Sequence, residues 1–185
     1  MITLMKTLPI CEFGNPILRK KAKALTPDEI KSTAVQELIA NMRHTLVSKK
    51  LGIALAAPQV NESLALAVIA IRPTAHRPNV EPFDLIIINP EITKTYGARK
   101  QLWEGCISSG VGEANLFAKV PRYNKIDVRF LDEAGIEQTK TFDGLVAQAV
   151  QHETDHLNGI LFVDHVEDPT TYMTMKEYRQ RITKV

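Results

Sequence analysis

Two histidines, His152 and His156, stand four residues apart in the stretch Gln151-His152-Glu153-Thr154-Asp155-His156. On a helix, residues at that spacing share one face a turn apart, so both imidazoles reach a single ion. Glu153 lies beside them, placed to approach a water at that ion and to act as general base and then general acid. Asp155 and Gln151 are candidates for contacts behind the ligands. The pattern fixes only three residues and also occurs on ordinary solvated helices. Here the apolar approach of Leu145, Val146, Ala149 and Val150 and a proper helix end favour a site. A catalytic ion of this type needs a third protein ligand and one open position. His44, His76 and His165 sit in polar surroundings and read as surface residues. Cys106, in Glu104-Gly105-Cys106-Ile107-Ser108, offers sulfur, although a lone Cys beside Gly is more often a buried small residue.

These groups need elements to hold them. Thr26-Pro27-Asp28-Glu29 is a capping box with proline at the first helical position. Ile30, Ala34, Val35, Leu38, Ile39, Met42 and Leu46 follow at helical spacing, which predicts one helix to about Ser48. Leu64 to Ile71 and Leu85 to Asn89 read as buried strands, the second stopped by Pro90. Ile126 to Leu131, the turn Asp132 to Gly135, and Ile136 to Phe142 form a hairpin pattern. Helical periodicity returns after Asp143, a plausible N-cap, and stops at Asn158-Gly159. Asp168-Pro169 is expected to open a last helix at about 169–182, with Tyr172, Met175, Tyr178 and Ile182 on one side. Helix, strands, then helices without βαβ alternation predict an α+β fold with mostly antiparallel sheets around a central metal-binding helix.

Composition narrows the function classes. The 185 residues suit one domain with a real core, and 44% hydrophobic with 24% charged residues is ordinary for a globular protein. A formal charge of +2 is too small to suggest sequence-specific nucleic-acid binding or a membrane surface. The apolar run from Leu64 to Ile71 falls far short of the roughly 20 residues a membrane helix needs. No targeting segment is visible in MITLMKTLPI, and only Cys11 and Cys106 are present. A cytoplasmic protein with reduced thiols is expected.

Three segments in order resemble the peptide deformylase family. Gly52-Ile53-Ala54-Leu55-Ala56-Ala57-Pro58-Gln59 is close to G-x-G-x-A-A-x-Q, Glu104 to Ser108 matches E-G-C-x-S, and Gln151 to Gly159 matches Q-H-E-x-D-H and its continuation. Gly14 to Arg19 and Val120-Pro121-Arg122 agree more weakly. The resemblance implies a single catalytic domain over 1–185 that removes the formyl group from N-formylmethionyl nascent peptides and releases formate. It implies Cys106, His152 and His156 as metal ligands, with Fe2+ the native ion and Zn2+, Ni2+ or Co2+ alternatives. Glu153 would move the proton, and the Gln59 amide and Ile107 N–H would meet the oxyanion. Gly52, Ile53, Ala54, Gly105, Leu145, Gln148 and Ala149 would line the substrate, with Glu104 orienting backbone there. The C-terminal helix, carrying Lys176, Arg179, Arg181 and Lys184, would offer a ribosome-docking face; an ordinary solvated face is the simpler reading.

The chain departs from the family pattern in three places. Ala54 replaces a glycine, so its methyl is expected to crowd substrate or restrict φ. The loop Ser109 to Lys119 reads as long, with Gly110 in place of a proline and no arginine. Gln148 puts a polar group on the pocket face. Three other readings compete: a peptidase with its third ligand among Asp164, His165 and Glu167, a thiol hydrolase using Cys106, and a non-catalytic relative that binds peptides or ribosomes.

Overall fold

The computed structural model describes residues 5–48, 52–75 and 77–183. His76, Lys184 and the first four residues of the N-terminal stretch lie outside the described residues. The elements run α1 (Pro27–Lys31), α2 (Thr33–Ser48), β1 (Ala54–Ala56), β2 (Leu66–Ile71), β3 (Phe83–Tyr96), β4 (Lys100–Gly105), β5 (Leu116–Arg122), β6 (Lys125–Leu131), β7 (Glu137–Asp143), α3 (Gly144–Leu157), β8 (Met173–Thr174) and α4 (Met175–Tyr178). All strand pairs are antiparallel, in a five-stranded sheet of order β1-β2-β3-β6-β7 and a three-stranded sheet of order β4-β5-β8. The expected α+β class holds.

The larger sheet is covered on both faces, and the β2 sequence shows why. Leu66 and Val68 pack with Ile86, Ile88 and the α2 residues Val35, Ile39, Met42 and Leu46. Ala67, Ile69 and Ile71 point the other way, joining Ile126, Val128, Phe130 and the α3 residues Ala147, Val150 and Leu157. A strand buried on both faces has no polar position to alternate with, hence the unbroken run LAVIAI. Helix α3 lies between this sheet and the smaller one, where Ala118, Val120 and Phe162 pack around Cys106. Its buried residues include Gln151, His152, Glu153 and His156, so polar groups there must find partners inside the protein.

Four expected boundaries differ. The helix predicted from Thr26 to Ser48 breaks at Ser32, whose backbone is extended and whose hydroxyl donates to the Glu29 carbonyl. Serine competes well with helical hydrogen bonding in this way. Pro90 does not end its strand: β3 continues to Tyr96 across a shift in register between Ile88 and Glu91. Asn89 adopts φ 51° there, and its amide group exchanges two hydrogen bonds with the Leu25 backbone, so the missing proline N–H falls at a bulge. The expected loop to Lys119 is shorter, because β5 already begins at Leu116. The last helix begins at Met175, capped by the Thr174 hydroxyl; Asp168 caps only a single turn at Pro169–Thr171, and Tyr172 and Ile182 are exposed.

Gly159 ends α3 at φ 74°, and a Cβ there would meet the Arg19 carbonyl carbon and oxygen at 2.7 Å. Both backbone strain and a clash with backbone oppose any side chain. Gly159→Ala should therefore destabilise the protein by about 1–3 kcal/mol, read as a lowered midpoint in thermal or urea unfolding. An unchanged midpoint would remove the constraint.

Candidate metal centre and active-site cavity

One turn of α3 brings the two imidazoles together, with ring centroids 4.8 Å apart. Cys106 follows the end of β4 and enters from the smaller sheet, its Sγ 3.3 Å from His156 Nε2. One ligand atom from each of Cys106, His152 and His156 can be chosen so that all lie within 4.8 Å of one another, and all three residues are buried. One sulfur and two nitrogens in a closed cluster are a donor set that could hold a borderline-soft divalent ion. Among the described residues, no other group of three His, Cys, Asp or Glu side chains converges this way.

The cluster is oriented from behind. His152 Nδ1 lies 2.7 Å from Glu104 Oε1, which leaves Nε2 for an ion. Glu104 is held in turn by Arg122, with Nε to Oε2 at 2.9 Å and Nη2 to Oε1 at 2.7 Å. Arg122 also donates to Asp155 Oδ2 at 2.6 Å, and His165 Nε2 lies 3.0 Å from that oxygen. Burial acts to raise the Glu104 pKa, but His152 and Arg122 outweigh it and hold the carboxyl well below the usual range. Burial also opposes charge on His152, yet Glu104 and Cys106 raise it well above an ordinary imidazole. The pocket thus attracts positive charge at this point. His156 is different: burial and then His152 lower its pKa, keeping the neutral ring a ligand requires.

Glu153 is 2% exposed, and its Oε2 has no partner among the described residues. Burial pushes its pKa up to about 7. Gln59, buried on the turn after β1, has its Oε1 fixed by the Ala56 N–H at 2.8 Å. That choice directs Nε2 towards Cys106 Sγ, at 3.4 Å, and Ser108 Oγ, at 3.1 Å. Gln151 pins α3 to the β5–β6 turn by pairing with both the N–H and the carbonyl of Tyr123.

A cavity of about 360 Å³ opens beside the cluster. Gly52, Ile53, Ala54, Gln59, Glu104, Gly105, Cys106, Ile107, Leu145, Gln148, Ala149, His152 and Glu153 line it, so the residues singled out in the sequence meet in one place, with His156 behind them. Two expectations need correction. Both Glu104 oxygens are taken by Arg122 and His152, so this carboxylate orients a ligand ring and a guanidinium, not substrate backbone. Ala54 lies in β1 without a positive φ, and its methyl joins the core cluster, so the expected backbone restriction is absent. Gln148 Nε2 donates to the Trp103 carbonyl at 2.9 Å, which satisfies the polar group that looked out of place.

Sequence reading missed the far wall. Arg77 on the β2–β3 connection, with Trp103, Phe117, Met175, Tyr178 and Arg179, lines the same cavity. Tyr178 stacks on Phe117 at 4.4 Å and meets Trp103 edge-on at 5.6 Å. No motif links these positions, because they come from separate segments. For Arg122 the tripeptide Val120-Pro121-Arg122 was a cue, but the role needed its buried partners.

A buried Cys-His-His cluster with an adjoining carboxylate, set in an α+β fold, has the makings of a metallohydrolase. The polypeptide deformylase model matches residues 7–172. Peptide deformylase 2 of Nostoc sp. is 38% identical over 180 residues, covering 96% of each chain. Peptide deformylase 2 of Xanthomonas axonopodis pv. citri is 40% identical over 174 residues, covering 94% of this chain and 95% of the relative. The Met-Ala-Ser-bound class I type b peptide deformylase from Acinetobacter baumannii superposes with a TM-score of 0.81 at 31% identity, covering 88% of this chain and all of that one. A deformylase from Synechococcus elongatus in complex with actinonin gives 0.76 at 35% identity, covering 96% and 87%. The chain belongs to the polypeptide deformylase family.

Arg122 is 4% exposed and neutralises two carboxylates, so its removal would leave Glu104 buried without its guanidinium. Arg122→Leu should cost about 3–5 kcal/mol of stability and weaken metal binding about 10–100-fold. Urea unfolding and competition with a chromophoric chelator read the two effects; normal values in both would make the network dispensable.

Proposed function

We propose that this chain, as one catalytic unit, hydrolyses the formyl amide of N-formylmethionyl peptides, yielding formate and a free methionyl N-terminus. The convergence of Cys106, His152 and His156 on one point beside Glu153 carries this reading. The three ligands would hold one divalent ion, Fe2+ in the cell, with Zn2+, Ni2+ or Co2+ able to occupy the same donors. That ion, when bound, supplies an activated water and polarises the formyl carbonyl.

The chain's own residues do the rest. Strands β1 and β4 are the edges of their sheets, and both border the cavity. An extended peptide can therefore add along an unpaired edge, with Leu145, Gln148 and Ala149 of α3 available to its first side chain. Gln59 Nε2, already aimed by the Ala56 bond, donates to the developing oxyanion together with the Ile107 N–H at the turn after Cys106. Glu153 takes a proton from the attacking water and returns it to the departing amine through its unpartnered oxygen.

The peptidase alternative lacks a third ligand here. His165 pairs with Asp155, Asp164 with Arg19, and Glu167 with Gln101. Nascent chains as substrates imply a cytoplasmic location, and among the described residues no helix is long and apolar enough to cross a membrane. Ribosome docking would rest chiefly on Lys176, since Arg179 pairs with Glu113 and lines the cavity, and Arg181 pairs with Glu177.

Metal analysis paired with formate release from a formyl-Met-Ala-Ser peptide tests the proposal. Cys106→Ala should lose stoichiometric metal and activity together. Glu153→Gln should keep the metal while formate release falls about 10²–10⁴-fold. A chelator should stop the reaction, whereas a thiol enzyme would survive it. Cleavage of unformylated peptides, with formylated ones left intact, would overturn the assignment.

A further inference from the structure

Three arginines among the described residues are not exposed: Arg77, Arg122 and Arg179. Arg122 pairs with Glu104 and Asp155, and Arg179 with Glu113. Arg77 has no carboxylate within ion-pair distance among the described residues, yet it lines the cavity that holds Cys106 and Glu153. Its backbone is tied by a two-way bond with Thr74, N–H to O at 2.9 Å and 3.2 Å, which fixes where the side chain departs. A half-buried guanidinium loses part of its hydration, and charge-assisted bonds to an anion recover most in such a place. Burial acts to lower the Arg77 pKa and the facing Tyr178 phenol acts to raise it.

The position indicates what the anion belongs to. The reacting cluster is buried, whereas Arg77 and Tyr178 are both partly exposed. An extended peptide with its formyl group at Cys106 would therefore send its later residues towards them. The wall there is apolar and aromatic, built from Phe117, Trp103 and Tyr178, so Arg77 is a charged contact within a mostly neutral surface.

We infer that Arg77 determines sequence preference in this cleft by pairing with a carboxylate of the peptide downstream of formylmethionine, either an acidic side chain or a free C-terminus. This rests on the deformylase reading. Its test uses the metal-loaded enzyme and four peptides: formyl-Met-Ala-Ser with a free C-terminus, the same peptide amidated, and amidated formyl-Met-Ala-Asp and formyl-Met-Ala-Lys. The wild type should favour a carboxylate-bearing peptide over the neutral amide by about tenfold in kcat/KM, mostly through KM. The free-acid and Asp-amide arms separate the two sources. Arg77→Ala should bring that ratio close to one, Arg77→Lys should keep part of it, and Arg77→Glu should favour the Lys peptide. Equal wild-type values for the neutral amide and both carboxylate-bearing peptides overturn the inference without any variant, as does an Arg77→Ala enzyme that keeps the ratio. If the wild type releases formate from none of the peptides, the deformylase reading falls and the inference with it.

Discussion

Glu104 lies buried where β4 passes α3, and a carboxylate out of water costs several kcal/mol unless cations meet it. The Arg122 guanidinium does so in bidentate fashion, and His152 Nδ1 makes a further polar contact with the carboxylate at 2.7 Å. Because β4 and β5 carry Glu104 and Arg122 while α3 carries His152 and Asp155, satisfying this one charge docks the small sheet against the helix. Cys106, two residues beyond Glu104, is delivered to the histidines by the same docking. The ligand geometry is thus a consequence of an electrostatic requirement, with the apolar cluster of Ala118, Val120 and Phe162 filling the space around it.

The network also divides labour between the two histidines. His152 is tied to a carboxylate and sits where positive charge is favoured, whereas His156 is kept neutral by burial. Glu153, between them in sequence, has no such tie, so its carboxyl feels burial most. Adjacent residues on one helix therefore have opposite electrostatic surroundings, which a ligand and a proton carrier need. Gln59 extends the logic, since the Ala56 N–H selects the orientation of its amide and leaves the donor end facing the cluster.

Much of the site was legible because each motif is local. A His-x-x-x-His spacing on a helix places two rings regardless of the remaining fold, and Asn158-Gly159 marks the helix end by a backbone requirement. The strands were legible where burial on both faces removed polar residues, as in β2. Boundaries were less so. Ser32 and Pro90 gave opposite surprises: a serine that fits a helical pattern broke it, and a proline that should stop a strand was absorbed by a bulge. In both cases the deciding bond is side chain to backbone, from Ser32 to Glu29 and from Asn89 to Leu25, and the second partner is remote in sequence.

By itself, then, the sequence determined the helix that spaces His152 and His156, the carboxylate beside them and the antiparallel α+β class, because these follow from short-range geometry and periodicity. The sulfur ligand was implied only by the family resemblance. Only the tertiary structure decided that Cys106 reaches the histidines, that Glu104 turns inward to serve His152 and Arg122, and that Arg77 and Tyr178 close the same cavity. Those are contacts between segments tens of residues apart. Their energies come from burying charge and apolar surface together, which spacing along the chain does not encode.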